Sequence, residues 1–115
     1  MKTMMFVTLS ATVMLAACAS RTITGQTMAG GTLKSDAFRM VASAATFDAK
    51  CRQVDSMKTE VLAINPPGTG DTEAKRRNGS VNERWTVSLC GQTIPYRVTF
   101  VPDGQGGTYI NTVRE

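Results

Sequence analysis

Polar and apolar residues alternate most cleanly between Arg84 and Phe100. Trp85, Val87 and Leu89 fall on one side of an extended chain, with Arg84, Thr86 and Ser88 on the other. After a turn at Gly91-Gln92-Thr93, a second apolar face of Ile94, Tyr96, Val98 and Phe100 lies opposite Arg97 and Thr99. Alternation with period two, interrupted by a turn, predicts paired strands half-buried on one side. Upstream, Lys58 to Ile64 reads as a strand, with Glu60, Leu62 and Ile64 on one side and Val61 and Ala63 on the other. Asn65-Pro66-Pro67-Gly68 ends it. Downstream, the glycine-rich turn Asp103-Gly104-Gln105-Gly106-Gly107 leads into a last strand from Thr108 to Val113.

The period changes ahead of these strands. Phe38, Val41, Ala42, Ala45 and Ala49 recur at three- and four-residue spacing, which predicts a helix from Ala37 to about Cys51 with one apolar stripe. Ser35 or Asp36 is placed to cap it, and Asp36 suits the positive end of the helix dipole. A stripe made mostly of alanine lets the helix lie close on a flat partner. The predicted fold is α+β, with one helix packed on a four-stranded antiparallel meander in two layers. The Trp85 and Tyr96 faces should point at the helix. Two segments show no periodicity. Ala19 to Ser35 is rich in Thr, Ser, Ala and Gly and reads as a flexible tether. Asn65 to Asn82 reads as a long polar loop carrying Lys75-Arg76-Arg77.

The first residues supply an address. Lys2 precedes an apolar or small-residue run from Met4 to Ala17, and Leu15-Ala16-Ala17 leads directly into Cys18. This is the layout of a secretory signal, and the last four residues resemble the lipobox of bacterial lipoproteins. The resemblance covers residues 1–18. It implies cleavage before Cys18, acylation of the Cys18 thiol, and anchoring by more than one chain, which holds a protein stably where one does not. In such lipoproteins an Asp after the cysteine tends to retain the protein in the inner membrane. Ala19 and Ser20 stand there, which favours the outer membrane with the domain facing the periplasm. Three units follow: signal 1–17, lipidated Cys18 and tether 18–35, and a single domain 36–115. The domain carries no motif that assigns it to a family.

With Cys18 assigned to lipid, Cys51 and Cys90 remain as one possible pair in a compartment that permits disulfides. Closing a loop of about 40 residues would stabilise the domain by roughly 4 kcal/mol. Thirteen basic and nine acidic residues give a net charge of +4, too mild to imply a polyanionic partner.

Candidate chemistry narrows by subtraction. The chain has no histidine, and with it goes the commonest general base and a main zinc ligand. No phosphate loop or nucleophile elbow occurs. No catalytic residue, metal or cofactor is expected. Lys75, Arg76 and Arg77 are the candidate contact for anionic groups, but no aromatic stands beside them for base stacking, so nucleic acid is disfavoured. Arg84, Thr86, Ser88, Arg97 and Thr99 should cluster on the polar sheet face and are the candidate surface for an envelope protein partner. The expected role is a non-enzymatic binding or assembly module held to the membrane through Cys18. The alternative is an inhibitor of a cell-wall hydrolase or protease that presents loop 65–82.

Overall fold

A computed structural model describes residues 22–115. The signal segment, Cys18 and the start of the expected tether lie outside the described residues. Trp85 stands opposite Tyr96 on the adjacent strands β3 (Ser80–Leu89) and β4 (Gln92–Pro102), and both side chains are buried. The remaining elements are β1 (Thr22–Gly25), α1 (Gly31–Ala49), β2 (Ser56–Asn65), α2 (Glu73–Asn78) and β5 (Thr108–Arg114). The fold is α+β. Its sheet has five strands in sequence order, with β2 to β5 antiparallel and β1 parallel to β2 on the edge. The expected four-stranded meander is thus present and gains a fifth strand.

The alternation works as read. Trp85, Val87 and Leu89 on β3 and Ile94, Tyr96, Val98 and Phe100 on β4 form the core under α1. From α1, Ala37, Val41, Ala42 and Ala45 are buried, and the helix packs across β3, β4 and β5. Small side chains let it sit low on the sheet. Cys51, just past the helix, is disulfide-bonded to Cys90 in the β3–β4 turn. The bond joins the two layers at one end.

The tether expectation is corrected. Thr22–Gly25 is a strand whose Ile23 lies beside Met57, and the helix starts at Gly31. Gly30 is its N-cap, with no side-chain cap, so Ser35 and Asp36 lie inside the helix. The glycine pair that suggested flexibility makes the turn into it: Gly31 adopts φ 51°. Gly25, at φ 95°, lies so close to β2 that an added Cβ would sit 2.0 Å from the Thr59 carbonyl oxygen. No other residue type could continue β1 there.

What holds this segment is Glu83. Its position has the same parity as Trp85, and it is fully buried. The Thr27 hydroxyl donates to Glu83 Oε1 at 2.6 Å, the Met28 amide to Oε2 at 2.7 Å and the Trp85 indole to Oε1 at 2.9 Å. The Ala29 amide donates to Thr27 Oγ1 at 3.0 Å. A buried carboxylate is tolerated only when its oxygens are satisfied. The residues that satisfy these oxygens lie in the β1–α1 connection.

Three further expectations change. The alternation expected along β2 breaks at a bulge between Val61 and Ala63, which puts Val61 and Ile64 on the same face. The loop expected over 65–82 contains α2, capped by Thr72 Oγ1 accepting from the Lys75 amide at 3.2 Å, and its last residues belong to β3. The turn expected at Gly91-Gln92-Thr93 is instead Cys90-Gly91, with φ 46° and 70°, the two positive values a tight type I′ hairpin requires.

Replacing Glu83 by Ala leaves three donors without their acceptor. The expected loss is about 3 kcal/mol in urea unfolding, with hydrogen-exchange protection of the Met28 amide falling first. A variant as stable as the parent would mean that Glu83 does not hold the segment. At the far end of α1, Lys50 occupies the left-handed position of a Schellman-type cap at φ 51°, with Cys51 N–H bonded to the Thr46 carbonyl. Lys50→Gly relieves that strain and should stabilise by about 0.5 kcal/mol net of the added freedom of the unfolded chain. Thermal unfolding of the two variants side by side checks it.

Candidate partner-binding face

The parity that buries Trp85 turns Arg84, Thr86 and Ser88 to the other side of the sheet, away from α1. Arg97 lies opposite Arg84 in the β3–β4 register, and Glu60 lies opposite Arg84 on β2. Two arginines facing each other across a strand pair repel. The repulsion is relieved by Glu115, just past β5. Its amide donates to the Pro95 carbonyl at 3.0 Å, which carries the sheet pairing one residue further. Its Oε2 then accepts from Arg84 Nη2 and its Oε1 from Arg97 Nε, each at 3.2 Å. Glu60 approaches Arg84 Nη1 at 3.8 Å. The result is a row of alternating charge across the middle of the face.

The two guanidiniums hold the Glu115 carboxyl below its ordinary range, Arg84 most strongly, against a smaller opposing effect of desolvation. Arg97 is engaged through Nε alone. Its two terminal nitrogens have no carboxylate partner among the described residues, and the side chain is half-exposed. A guanidinium oriented through Nε with its outer edge open is set to receive a carboxylate in bidentate fashion.

Of the five candidate residues on this face, Arg84, Thr86, Ser88 and Arg97 share it as expected. Thr99 shares the parity but is buried, and its hydroxyl donates to Asn82 Oδ1 at 2.9 Å. Its hydroxyl is thus engaged within the domain. Val113 of β5 is an exposed apolar residue beside the arginines, and Tyr109 is a second one further along the same strand. Val113 lies opposite Arg97 and Tyr109 opposite Val101, with Val113 and Tyr109 both more than half exposed.

The basic run is largely neutralised. Lys75 pairs with Asp71 at 2.7 Å and Arg77 with Glu73 at 2.5 Å, each four residues apart. Lys75 also holds the Asp71 carboxyl below its ordinary value. Arg76 reaches only the Gly70 carbonyl, at 3.4 Å. Of the three basic residues, Arg76 alone has no carboxylate partner among the described residues.

Two groups were missed in the sequence. Glu83 stands at an inward position of an alternating strand, and a carboxylate there signals a buried acceptor needing donors. Asp48, off the helical stripe, accepts from the buried Tyr96 hydroxyl at 2.5 Å and lies 3.9 Å from Arg114. It ties α1 to β4 and β5. Burial and this carboxylate push the Tyr96 phenol well above its ordinary value. Among the described residues no cluster of histidine, cysteine or carboxylate side chains could hold a metal, and Asp103 of the glycine-rich turn is engaged by the Gln105 and Gly107 amides.

Glu115 should titrate below the ordinary range of a glutamate in an NMR carboxyl titration, with its share of folded-state stability present at neutral pH and lost as pH falls through that depressed value. Arg84→Gln should move the midpoint up further than Arg97→Gln does. The reverse order would mean that Arg97 dominates the clamp. No family model matches the chain, and no curated protein or solved structure matches it either.

Proposed function

We propose that this chain is a small envelope lipoprotein, anchored through lipid on Cys18 to the outer membrane and facing the periplasm. In this reading it is a non-enzymatic binding or assembly module. The address rests on the lipobox resemblance of Leu15-Ala16-Ala17-Cys18. The binding role rests on one observation: Arg97 is oriented by Glu115 through Nε, with its terminal nitrogens open on a sheet face that α1 leaves uncovered. Arg84, Thr86 and Ser88 extend the polar surface around it, and Val113 supplies an apolar neighbour. A mixed surface of this kind suits a protein partner offering a carboxylate to the arginine and an apolar rim beside it.

The alternative reading, an inhibitor of a cell-wall hydrolase or protease, would present the segment 65–82, in which α2 with its internal ion pairs follows an irregular stretch.

Affinity capture with the full chain from detergent-solubilised envelope tests the proposal. A saturable protein partner retained at about 0.15 M salt is expected, where exposed charge–charge attraction is already screened beyond about 8 Å. Arg97→Glu should weaken capture by at least about tenfold, the scale of one charge-assisted contact, without lowering the unfolding midpoint by more than a few degrees. Capture unaffected by Arg97→Glu would move the binding site off this face.

A further inference from the structure

Strand β5 lies at the end of the sheet, and no described strand pairs with its outer edge. It spans seven residues, Thr108–Arg114, without the proline, lysine or bulge that commonly protects an edge. Beside it runs a trough. Asp36, Arg39 and Met40 of α1 line it with Thr108, Tyr109 and Ile110. It continues along the helix past Ser43, Ala44 and Phe47 to Asp48, which lies near Arg114. Helix and strand therefore run the same way, and the helix flank facing the trough carries Phe47, 84% exposed, and Met40, 41% exposed.

We infer that this edge pairs with the same edge of a second copy, β5 against β5 in antiparallel sense. The symmetry fixes the register. A two-fold axis normal to the sheet keeps both α1 helices on the same side and pairs only residues of like parity. Full overlap of the seven residues then puts the axis at Asn111. In that register Tyr109 lies opposite Val113 of the second copy, so each exposed apolar residue of the open face meets the other. Ile110 lies opposite Thr112, and Arg114 opposite Thr108. No like charges face each other.

The helix layer obeys the same operation. The end of α1 that carries Asp48, with Arg114 beneath it, comes alongside the start of α1 in the second copy, where Asp36 and Arg39 line the trough. Arg114 then approaches Asp36 of the second copy, and Asp48 approaches its Arg39. All four of these charges are at least partly exposed in the single chain, where Asp36 pairs with Arg39 and Asp48 lies near Arg114. Phe47 points toward Met40 of the second copy, and the small Ser43 and Ala44 near the axis allow close approach. Charge and apolar pattern are both self-complementary.

Seven residues of strand span about 23 Å. With the sheet and helix layers together about 15–20 Å tall, the contact removes about 800 Å² from solvent, below the usual range for stable complexes. The pair is therefore weak in dilute solution and forms where the chain is concentrated. Lipid anchoring, as proposed above, confines copies to one surface and raises their effective concentration.

Site-directed crosslinking in cells producing the full chain tests this. Asn111→Cys puts two thiols at the axis, where facing Cα atoms in an antiparallel pair are about 4.5–5.5 Å apart, within disulfide range. Thr108→Cys puts them about 20 Å apart, and Lys58→Cys on β2 reports random collision. Brief oxidation should give at least about tenfold more disulfide dimer from Asn111→Cys than from either control, and adding Tyr109→Asp should remove most of it. Thiol labelling of the monomer, with Cys51 and Cys90 protected, verifies the fold in each variant. Equal yields, no dimer, or a product of another mass from Asn111→Cys would overturn the inference. Fractionation of the same cells reports the anchor separately, so a chain found off the membrane would remove that reading and leave the crosslink to be judged on its own.

Discussion

The buried carboxylate of Glu83 is the constraint on which the arrangement of this domain depends. It stands on the apolar side of the central strand, next to Trp85, where an unsatisfied acceptor would cost several kcal/mol. Two of its donors come from residues 27 and 28. Satisfying Glu83 therefore pulls the β1–α1 connection into the core, with Ala29 buried beside it. Once that connection is fixed, β1 lies parallel along β2 and α1 must begin at Gly31 to cross back over the sheet. Parallel neighbours need such a crossover, and the helix supplies it. The far end of the helix is held independently, by the Cys51–Cys90 bond and by Asp48 on Tyr96. The helix is thus clamped at both ends by interactions distant in sequence, and between the clamps it needs only small residues to stay seated.

The division of sequence-readable from unreadable features follows from the range of the forces involved. Alternation in β3 and β4 and the small-residue stripe of α1 are local patterns dictated by which side is buried; the strand facing was legible, and so were Val41, Ala42 and Ala45 of the stripe, while Phe38 and Ala49 are only partly buried and Ala37 takes the place expected of them. The disulfide was legible as the pairing left once Cys18 is set aside. β1 was not, because an edge strand paired in parallel needs little apolar content of its own, and Thr22-Ile23-Thr24-Gly25 offers one large apolar residue. Its stability comes from β2 and from Glu83, which lie tens of residues away. The glycines at 25, 30 and 31 suggested disorder, yet a close approach at Gly25 and a positive φ at Gly31 are what place them. The β2 bulge was not legible, and it reverses the facing of the residues beyond it; the Cys90-Gly91 turn is shorter than the expected one but leaves the facing of β3 and β4 as expected.

On the candidate face, parity was enough to gather Arg84, Thr86, Ser88 and Arg97 but could not show how their charges are balanced. Facing arginines look like a cationic patch in a list of residues. In the fold, Glu60 and Glu115 flank them, and the face is close to neutral. The same holds for Lys75-Arg76-Arg77, where helical spacing brings Asp71 and Glu73 onto two of the three. A net excess of basic residues therefore does not concentrate into an anion-binding surface. What remains distinctive is directional: one guanidinium held by its Nε, with its outer edge open. Directed polar groups confer selectivity for a partner's shape more than strength of attraction.

The two surfaces of the domain are linked through β5. Of its odd-numbered residues, Val113 borders the arginine row and Tyr109 lies further along the same face, and its even-numbered residues face the α1 side. A two-fold axis at Asn111 would join the open faces of two copies into one continuous sheet surface without covering either arginine row. Arg97 of one copy would then stand three strands and four residues from Arg97 of the other, about 20 Å away. A partner with acidic groups at that spacing would bind both arginines at once. Its second contact would form at the effective concentration set by the sheet rather than by diffusion. In the proposed pair the doubled face would raise affinity for such a partner by geometry, with no additional contact per chain.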